Sequence, residues 1–254
     1  MTTILAGVLA DIDHIAHGFF PRIGDDKKTP LNFEYRKGDP GLRERSYAYA
    51  ARFLGVSPRR IYVTNQVHGD GIEVLREAPD EGFGMGTVEN DAVVTDAPNV
   101  ALTVLTADCV PILIAERNGR AVAAVHAGWR GTALEIARKA VRAMTDAFGV
   151  EARYLSAAVG PAIGRCCYQV GPEVLDAMRS AFPWADSYIK DEEGGRGRLD
   201  LAGINREALV RAGLDRNRVE VVARCTACEE DLFYSYRRDG DKAGRMLSAI
   251  VLKK

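Results

Sequence analysis

The sequence is short of histidine, of long apolar runs and of net charge, and each shortage removes a class of function. It holds four histidines, His14, His17, His68 and His126. A multicopper oxidase needs a histidine-rich trinuclear cluster and a blue site with its own histidines and cysteine, so four are too few. No stretch approaches the ~18 apolar residues of a membrane span. The apolar start, Ile4 to Ala10, has no basic lead-in and runs into Asp11 and Asp13, which argues against a signal peptide. With 34 Lys+Arg against 35 Asp+Glu, the net charge of -1 gives no long-range pull on polyanions. A cytoplasmic protein with a small-molecule substrate is expected, with no nucleic acid and no membrane as partner.

No Ser/Gly/Pro linker, block of like charge or internal repeat divides the chain. Residues 1–254 therefore read as one domain, and 47% hydrophobic composition supplies a substantial core. The loosely built stretches, about residues 21 to 40 and 185 to 199, read as surface loops. Five cysteines, an odd number, favour ligand, nucleophile or core roles over disulfides in a reducing compartment.

Asp39-Pro40 opens a helix that Gly55 closes, with Leu42, Tyr49, Phe53 and Leu54 on one face. Val- and Ile-rich runs at 61–67, 92–95, 100–106, 110–115 and 121–125 read as strands. From Thr132 to Phe148 the period becomes helical, with Leu134, Ala137, Val141, Met144 and Phe148 on one stripe and Gly149 as the stop. A strand at 154–159 follows, then a helix opened by Pro172, a helix capped by Asp200, and strands at 219–225 and 246–252. Strands grouped together, rather than in strict βαβ alternation, predict an α+β fold of layered mixed sheets flanked by helices.

Three candidate ligands fall at the ends of such strands: His68 in Asn65-Gln66-Val67-His68-Gly69, Cys109 in Thr106-Ala107-Asp108-Cys109, and His126 in His126-Ala127-Gly128-Trp129-Arg130-Gly131. Two imidazoles and a thiolate suit zinc, and three protein ligands leave the fourth position open for chemistry. Asp108 and Asp91 are the candidate acids beside it. Gly128, Trp129 and Arg130 offer unpaired backbone N–H groups, a flat ring and a guanidinium, a natural phosphate pocket, and His17 and Arg22 of His17-Gly18-Phe19-Phe20-Pro21-Arg22 are further lining candidates. Cys225-Thr226-Ala227-Cys228 lacks a second such pair. Adjacent Cys166 and Cys167 make poor partners for one tetrahedral ion, so these four cysteines read as buried small hydrophobic residues.

These segments, together with Asp91-Ala92-Val93-Val94-Thr95, the run Gly160 to Gly171 and the closing Phe233 to Met246, resemble the YfiH-like family over nearly the whole chain. That family has been labelled multicopper polyphenol oxidoreductase or laccase-domain proteins, and redescribed as zinc-dependent purine nucleoside phosphorylases. The resemblance implies that His68, Cys109 and His126 bind zinc. It also implies splitting of adenosine, inosine, guanosine or methylthioadenosine by phosphate to base and ribose 1-phosphate, with adenosine deaminase activity. Copper competes for such donors in vitro, because the affinity order favours it. Three departures stand out: Ile23 to Lys28 replaces a Gly-Gly-Val-Ser type loop, Arg43-Glu44-Arg45-Ser46 replaces an Asn-Arg segment, and Ala162 stands where cysteine is usual. Rival activities are an amide hydrolase with Cys109 as nucleophile and His126 as base, peptidoglycan-precursor editing, copper polyphenol oxidation, and a non-catalytic scaffold.

Overall fold

Short β-branched runs become strands, and glycine and proline set most of their ends. The computed structural model describes residues 2–77 and 84–253. It opens with α1 (Gly7–Ala10), β1 (Ile15–Phe20) and α2 (Pro40–Leu54). Then come β2 (Ile61–Asn65), β3 (Ile72–Leu75), β4 (Gly84–Glu89), β5 (Ala92–Thr95), β6 (Ala101–Thr106), β7 (Val110–Glu116) and β8 (Val122–Ala127). Next are α3 (Trp129–Ala133), α4 (Ile136–Phe148), β9 (Leu155–Val159), β10 (Gln169–Val170) and α5 (Pro172–Ala181). The chain continues through β11 (Ile189–Asp191), β12 (Gly197–Leu199), α6 (Leu201–Arg211), β13 (Val219–Val221), α7 (Tyr236–Asp239) and β14 (Met246–Leu252).

Five strands join in the order β1-β14-β6-β2-β4, six in the order β13-β9-β7-β8-β5-β3, and β10-β12-β11 form a small sheet. Both large sheets are mixed: β6 is antiparallel to β14 but parallel to β2, and β5 is antiparallel to β8 but parallel to β3. This is the expected α+β architecture.

Side chains alternate faces along each strand. Leu102 and Val104 of β6, Leu113 and Ala115 of β7, Val122 and Ala124 of β8, and Ile250 and Leu252 of β14 share one buried cluster, which fills the space between the large sheets. Their alternates, Ile112, Ile114, Ala123 and Val125, pack with Ile136, Ala140 and Met144 of α4 and Ile204 of α6. On the opposite side, Ala101, Leu105, Leu247 and Ala249 pack with Tyr47, Ala50 and Leu54 of α2. The layers thus run helix, sheet, sheet, helix. Parity places Thr106 and His126 with the intersheet residues, so both strands deliver these side chains to one end of that gap.

The first helix forms as expected: the Asp39 carboxylate caps the Gly41 N–H at 2.8 Å, and Gly55 takes φ 66° at the C-terminus. The helix expected over 132–148 is instead two. Glu135 sits at φ 60° between α3 and α4, and Leu134 is exposed rather than part of the stripe. The stretch 185–199, expected as loop, supplies β11 and β12, and the strand expected over 219–225 ends at Val221 because the chain then turns.

His17 sits within β1, and its buried Nε2 accepts the Ala6 N–H at 2.9 Å. Burial pulls the imidazole from its ordinary 6.5 to about 4, and the Ala6 bond needs a lone pair that a protonated ring lacks. The unfolded chain therefore binds this proton first, so the stability is present above pH 6.5 and is lost as pH falls toward 4. We predict a loss of about 3 kcal/mol across that window in urea unfolding. His17→Gln should flatten this part of the profile.

Candidate metal centre and its cleft

Beyond β2 the chain turns sharply, placing His68 at φ 62°. A left-handed non-glycine residue costs roughly 1–2 kcal/mol, and one carboxylate holds it there. Asp91, fully buried just before β5, accepts the N–H groups of Val67 at 3.2 Å, His68 at 3.0 Å and Gly69 at 2.7 Å. Asp91 also meets His126 Nδ1 at 2.7 Å, and its backbone carbonyl accepts the His126 N–H at 2.7 Å. The carboxylate bond holds a proton on Nδ1, so Nε2, the nitrogen left for Cys109, is the one that would give up its proton to an ion. Burial alone would push the Asp91 carboxyl up, but its bond to His126 and the backbone N–H groups hold it below the usual range.

The third candidate ligand is set by a similar device. Asp108 turns the chain between β6 and β7 at φ 92°. Its carboxylate accepts the Thr226 hydroxyl at 2.6 Å, the Ser235 hydroxyl at 3.0 Å and the Arg237 N–H at 2.7 Å. Both acids named in the sequence are thus engaged by protein groups, Asp91 behind His126 and Asp108 behind Cys109.

One ligand atom from each of His68, Cys109 and His126 lies within 4.8 Å of the other two. His126 is buried, Cys109 half-buried and His68 exposed. The group can hold a metal ion with one coordination position facing the cleft. Burial would raise the Cys109 thiol, but the neighbouring charge and ring N–H groups of His126 and His68 bring it down to about 6. The trio is arranged to hold its sulfur as thiolate, the form that binds metals.

Two glycines of the His126 segment are required by close approach. A Cβ on Gly128 would come within 3.2 Å of both Cys109 Sγ and the His68 ring, and one on Gly131 would meet the Gly69 carbonyl oxygen at 2.7 Å. The first turn of α3 is therefore pressed against the turn that carries His68.

The centre opens into a cleft of about 910 Å³. Trp129 and Arg130 line it as expected from their segment, but the Arg130 guanidinium lies 4.5 Å over the Trp129 ring and covers it. Arg36, Lys37, Arg237 and Arg245 also line the cleft, as do Tyr35 and Tyr168. No sequence pattern singled them out because they come from loops and from α7, far along the chain from the ligand motifs. Arg36 is steadied by Asn65 Oδ1 at 2.9 Å and Arg237 by the Gln169 carbonyl at 2.9 Å. The Thr106 hydroxyl is buried at the cleft wall without a hydrogen-bond partner among the described residues.

Two lining candidates are displaced from it. His17 is committed to Ala6, and Arg22 donates to the Glu230 carbonyl at 3.1 Å while stacking 4.7 Å over Tyr234. The HGFF-x-R segment shapes the β1 edge rather than the cleft. Among the described residues, no helix is long and apolar enough to cross a membrane.

Fold and site together define a layered α+β protein in which His68, Cys109 and His126, a group that could hold a metal ion, face a cleft lined by cationic side chains. The family model described as multi-copper polyphenol oxidoreductase laccase matches residues 16–253, and the chain belongs to this YfiH-like family. It is 38% identical over 241 residues to a purine nucleoside phosphorylase of Deinococcus radiodurans, covering 94% of this chain and 89% of that one. It is 35% identical to adenosine deaminase RL5 of an unknown prokaryotic organism, over 85% and 84% of the two chains. The crystal structure of YlmD from Geobacillus stearothermophilus matches with a TM-score of 0.86 at 31% identity, over 98% of this chain and 94% of that one.

Two predictions test how the centre is held. Asp91→Asn should weaken metal binding by about 10- to 100-fold in chelator competition, since the amide lacks the negative charge and puts an NH2 donor where one of the two oxygens accepts from His126 and the His68 turn. Gly131→Ala should also lower metal affinity although it touches no ligand, because the new methyl must move the Gly69 carbonyl away. If either variant held metal as tightly as the parent, the corresponding support would be dispensable.

Proposed function

We propose that the protein is a zinc-dependent purine nucleoside phosphorylase, acting on adenosine, inosine, guanosine or methylthioadenosine, with adenosine deaminase activity at the same centre. Residues 1–254 act as one catalytic domain in this reading. The observation that carries it is the juxtaposition of an open three-ligand centre with five cationic side chains, Arg36, Lys37, Arg130, Arg237 and Arg245, around one cleft. Such a cleft suits a neutral nucleoside and an anionic co-substrate together. The names of the relatives support an enzyme of this class.

The donor set fits zinc: two imidazoles and a thiolate, with His126 oriented by a carboxylate. When bound, zinc supplies a Lewis acid at its open position. The chain's own residues do the rest. Arg130, held over Trp129, and Arg237, held by Gln169, present guanidinium forks to phosphate. Tyr35 and Tyr168 offer aromatic surface for the purine, and Thr106 offers an unspent hydroxyl to the substrate. In phosphorolysis, a phosphate oxygen bonds to the anomeric carbon as the glycosidic C–N bond breaks. The bonding pair leaves with the purine, and the proton of hydrogen phosphate balances the base.

A second reading draws on a specific arrangement. Cys109, His126 and Asp91 line up as nucleophile, base and orienting carboxylate, the order of a thiol hydrolase. Such an enzyme would cleave an amide, for example in a peptidoglycan precursor, without metal. Copper polyphenol oxidation has less support, since the remaining two histidines are not part of a metal-ligand group among the described residues.

The deciding assay incubates the zinc-loaded protein with adenosine, with and without phosphate, and resolves adenine, inosine and ribose 1-phosphate. Phosphate-dependent adenine, lost in Cys109→Ala, is the expected outcome. Cys109 should also resist alkylation until zinc is stripped. Rapid alkylation of the zinc-loaded protein, with no turnover of adenosine, would transfer the assignment to the thiol hydrolase.

A further inference from the structure

The cysteines outside the centre do not lie in the core. Cys166 and Cys228 are exposed, Cys167 and Cys225 are intermediate, and one sulfur from each lies within 4.8 Å of the other three. This corrects the expectation of buried small hydrophobic residues. We propose that Cys166, Cys167, Cys225 and Cys228 form a second metal site, a closed tetrathiolate centre for a single zinc ion, separate from His68, Cys109 and His126.

The spacing carries the assignment. Four sulfurs around one zinc at about 2.3 Å stand about 3.8 Å apart along each edge of the tetrahedron. Here Cys228 Sγ lies 3.6 Å from Cys166 Sγ and 3.3 Å from Cys167 Sγ. An iron–sulfur cluster distributes its thiolates over several irons, which this compact set is too small to surround. Four protein ligands leave no open position, so the site is structural rather than catalytic.

Local folding removes the objection to adjacent ligands. The Cys167 and Tyr168 N–H groups both return to the Gly164 carbonyl, at 2.9 and 3.0 Å. That helical turn lets both Cys166 and Cys167 reach the same partner. Across from it, the Cys228 and Glu229 N–H groups return to the Cys225 carbonyl at 3.2 and 3.1 Å, forming a tight knuckle. The Gly164 N–H donates to Cys225 Sγ at 3.2 Å, a bond that favours thiolate, and the Thr226 N–H joins the loops at the Ala162 carbonyl at 3.0 Å. Each thiol gives its proton to solvent on binding. The Gly164 N–H stabilises the Cys225 thiolate, and Arg198, which also pairs with Glu192, ties down the Cys166 carbonyl.

The consequence reaches the cleft. The ion would staple the loop carrying Tyr168 and Gln169, which line the cleft, to the loop carrying Thr226, which holds Asp108 behind Cys109. The proposal does not depend on which reaction the cleft performs.

The test is metal stoichiometry on protein reconstituted with zinc under anaerobic, reducing conditions and then desalted. Two zinc ions per chain are expected in the parent, one in Cys225→Ser/Cys228→Ser, and one in His68→Ala/His126→Ala. Loading the last variant with cobalt(II) alone should give intense thiolate-to-metal charge transfer with tetrahedral d–d bands, lost on adding Cys228→Ser. Thiol titration of the unaltered protein guards against misfolded variants: with zinc bound, all four cysteines should react slowly until a chelator is added. A His68→Ala/His126→Ala variant that retains no zinc, free reaction of these four thiols in the zinc-loaded protein, or a disulfide from Cys228 to Cys166 or Cys167 would each overturn the proposal.

Discussion

The Asp91 carboxylate, shut away from water just before β5, accepts three consecutive N–H groups from the turn that carries His68 and also engages His126 Nδ1. A buried carboxylate with so many donors is costly to bury and more costly to leave unpaired. The two histidine segments are therefore bound to each other through it before any ion arrives. The strained turn at His68 persists because three bonds from one group over-determine it. Without Asp91 the imidazoles would be two surface groups at two strand ends; with it they are halves of one site.

The sheets explain why those strand ends coincide. In the six-stranded sheet β8 lies between β5 and β7, so Asp91, His126 and Cys109 arrive at neighbouring positions by ladder pairing alone. His68 comes from the other large sheet, beyond the end of β2. Period-two alternation sends Thr106 and His126 into the gap between the sheets, where the apolar filling stops. The cleft is thus the unfilled end of the intersheet layer. Its polar groups are held on regular strands and on turns pinned by carboxylates.

Much of this was legible in the sequence, and the failures have physical causes. Ligands at strand ends could be found because His68, Cys109 and His126 each follow or interrupt a β-branched run beside glycine. The acids were legible as residues but not in their partners: nothing local in Asp91 or Asp108 says that its oxygens are filled by groups 22 to 129 positions away. Arg22 was read by its nearness in sequence to His17, yet it turns to Glu230 and Tyr234 near the other end of the chain. The break at Glu135 was hidden because Leu134 fits the helical stripe by spacing alone. The four cysteines failed for the same reason as the arginines: pairing Cys166 with Cys228 spans 62 positions, and spacing rules see only neighbours.

The charge distribution shows what a whole-chain sum conceals. A net charge of -1 argues against attraction for a long polyanion, yet five cations meet at the cleft wall. The two statements agree once distance is considered. Fields from exposed charges fade over about 8 Å at physiological ionic strength, so the many surface ion pairs elsewhere neither help nor hinder a ligand inside the cleft. What acts there is the local charge, in which the five cations outnumber the Glu34, Asp108 and Glu173 carboxylates of the same wall, with Arg36 held by Asn65, Arg237 by Gln169 and Arg130 by the Trp129 ring. Guanidiniums held in this way lose little freedom on binding an anion, and the planar fork suits two oxygens of one phosphate. In the proposed reading that arrangement suits a small dianion, while a polyanion gains nothing from the protein's remaining, balanced surface.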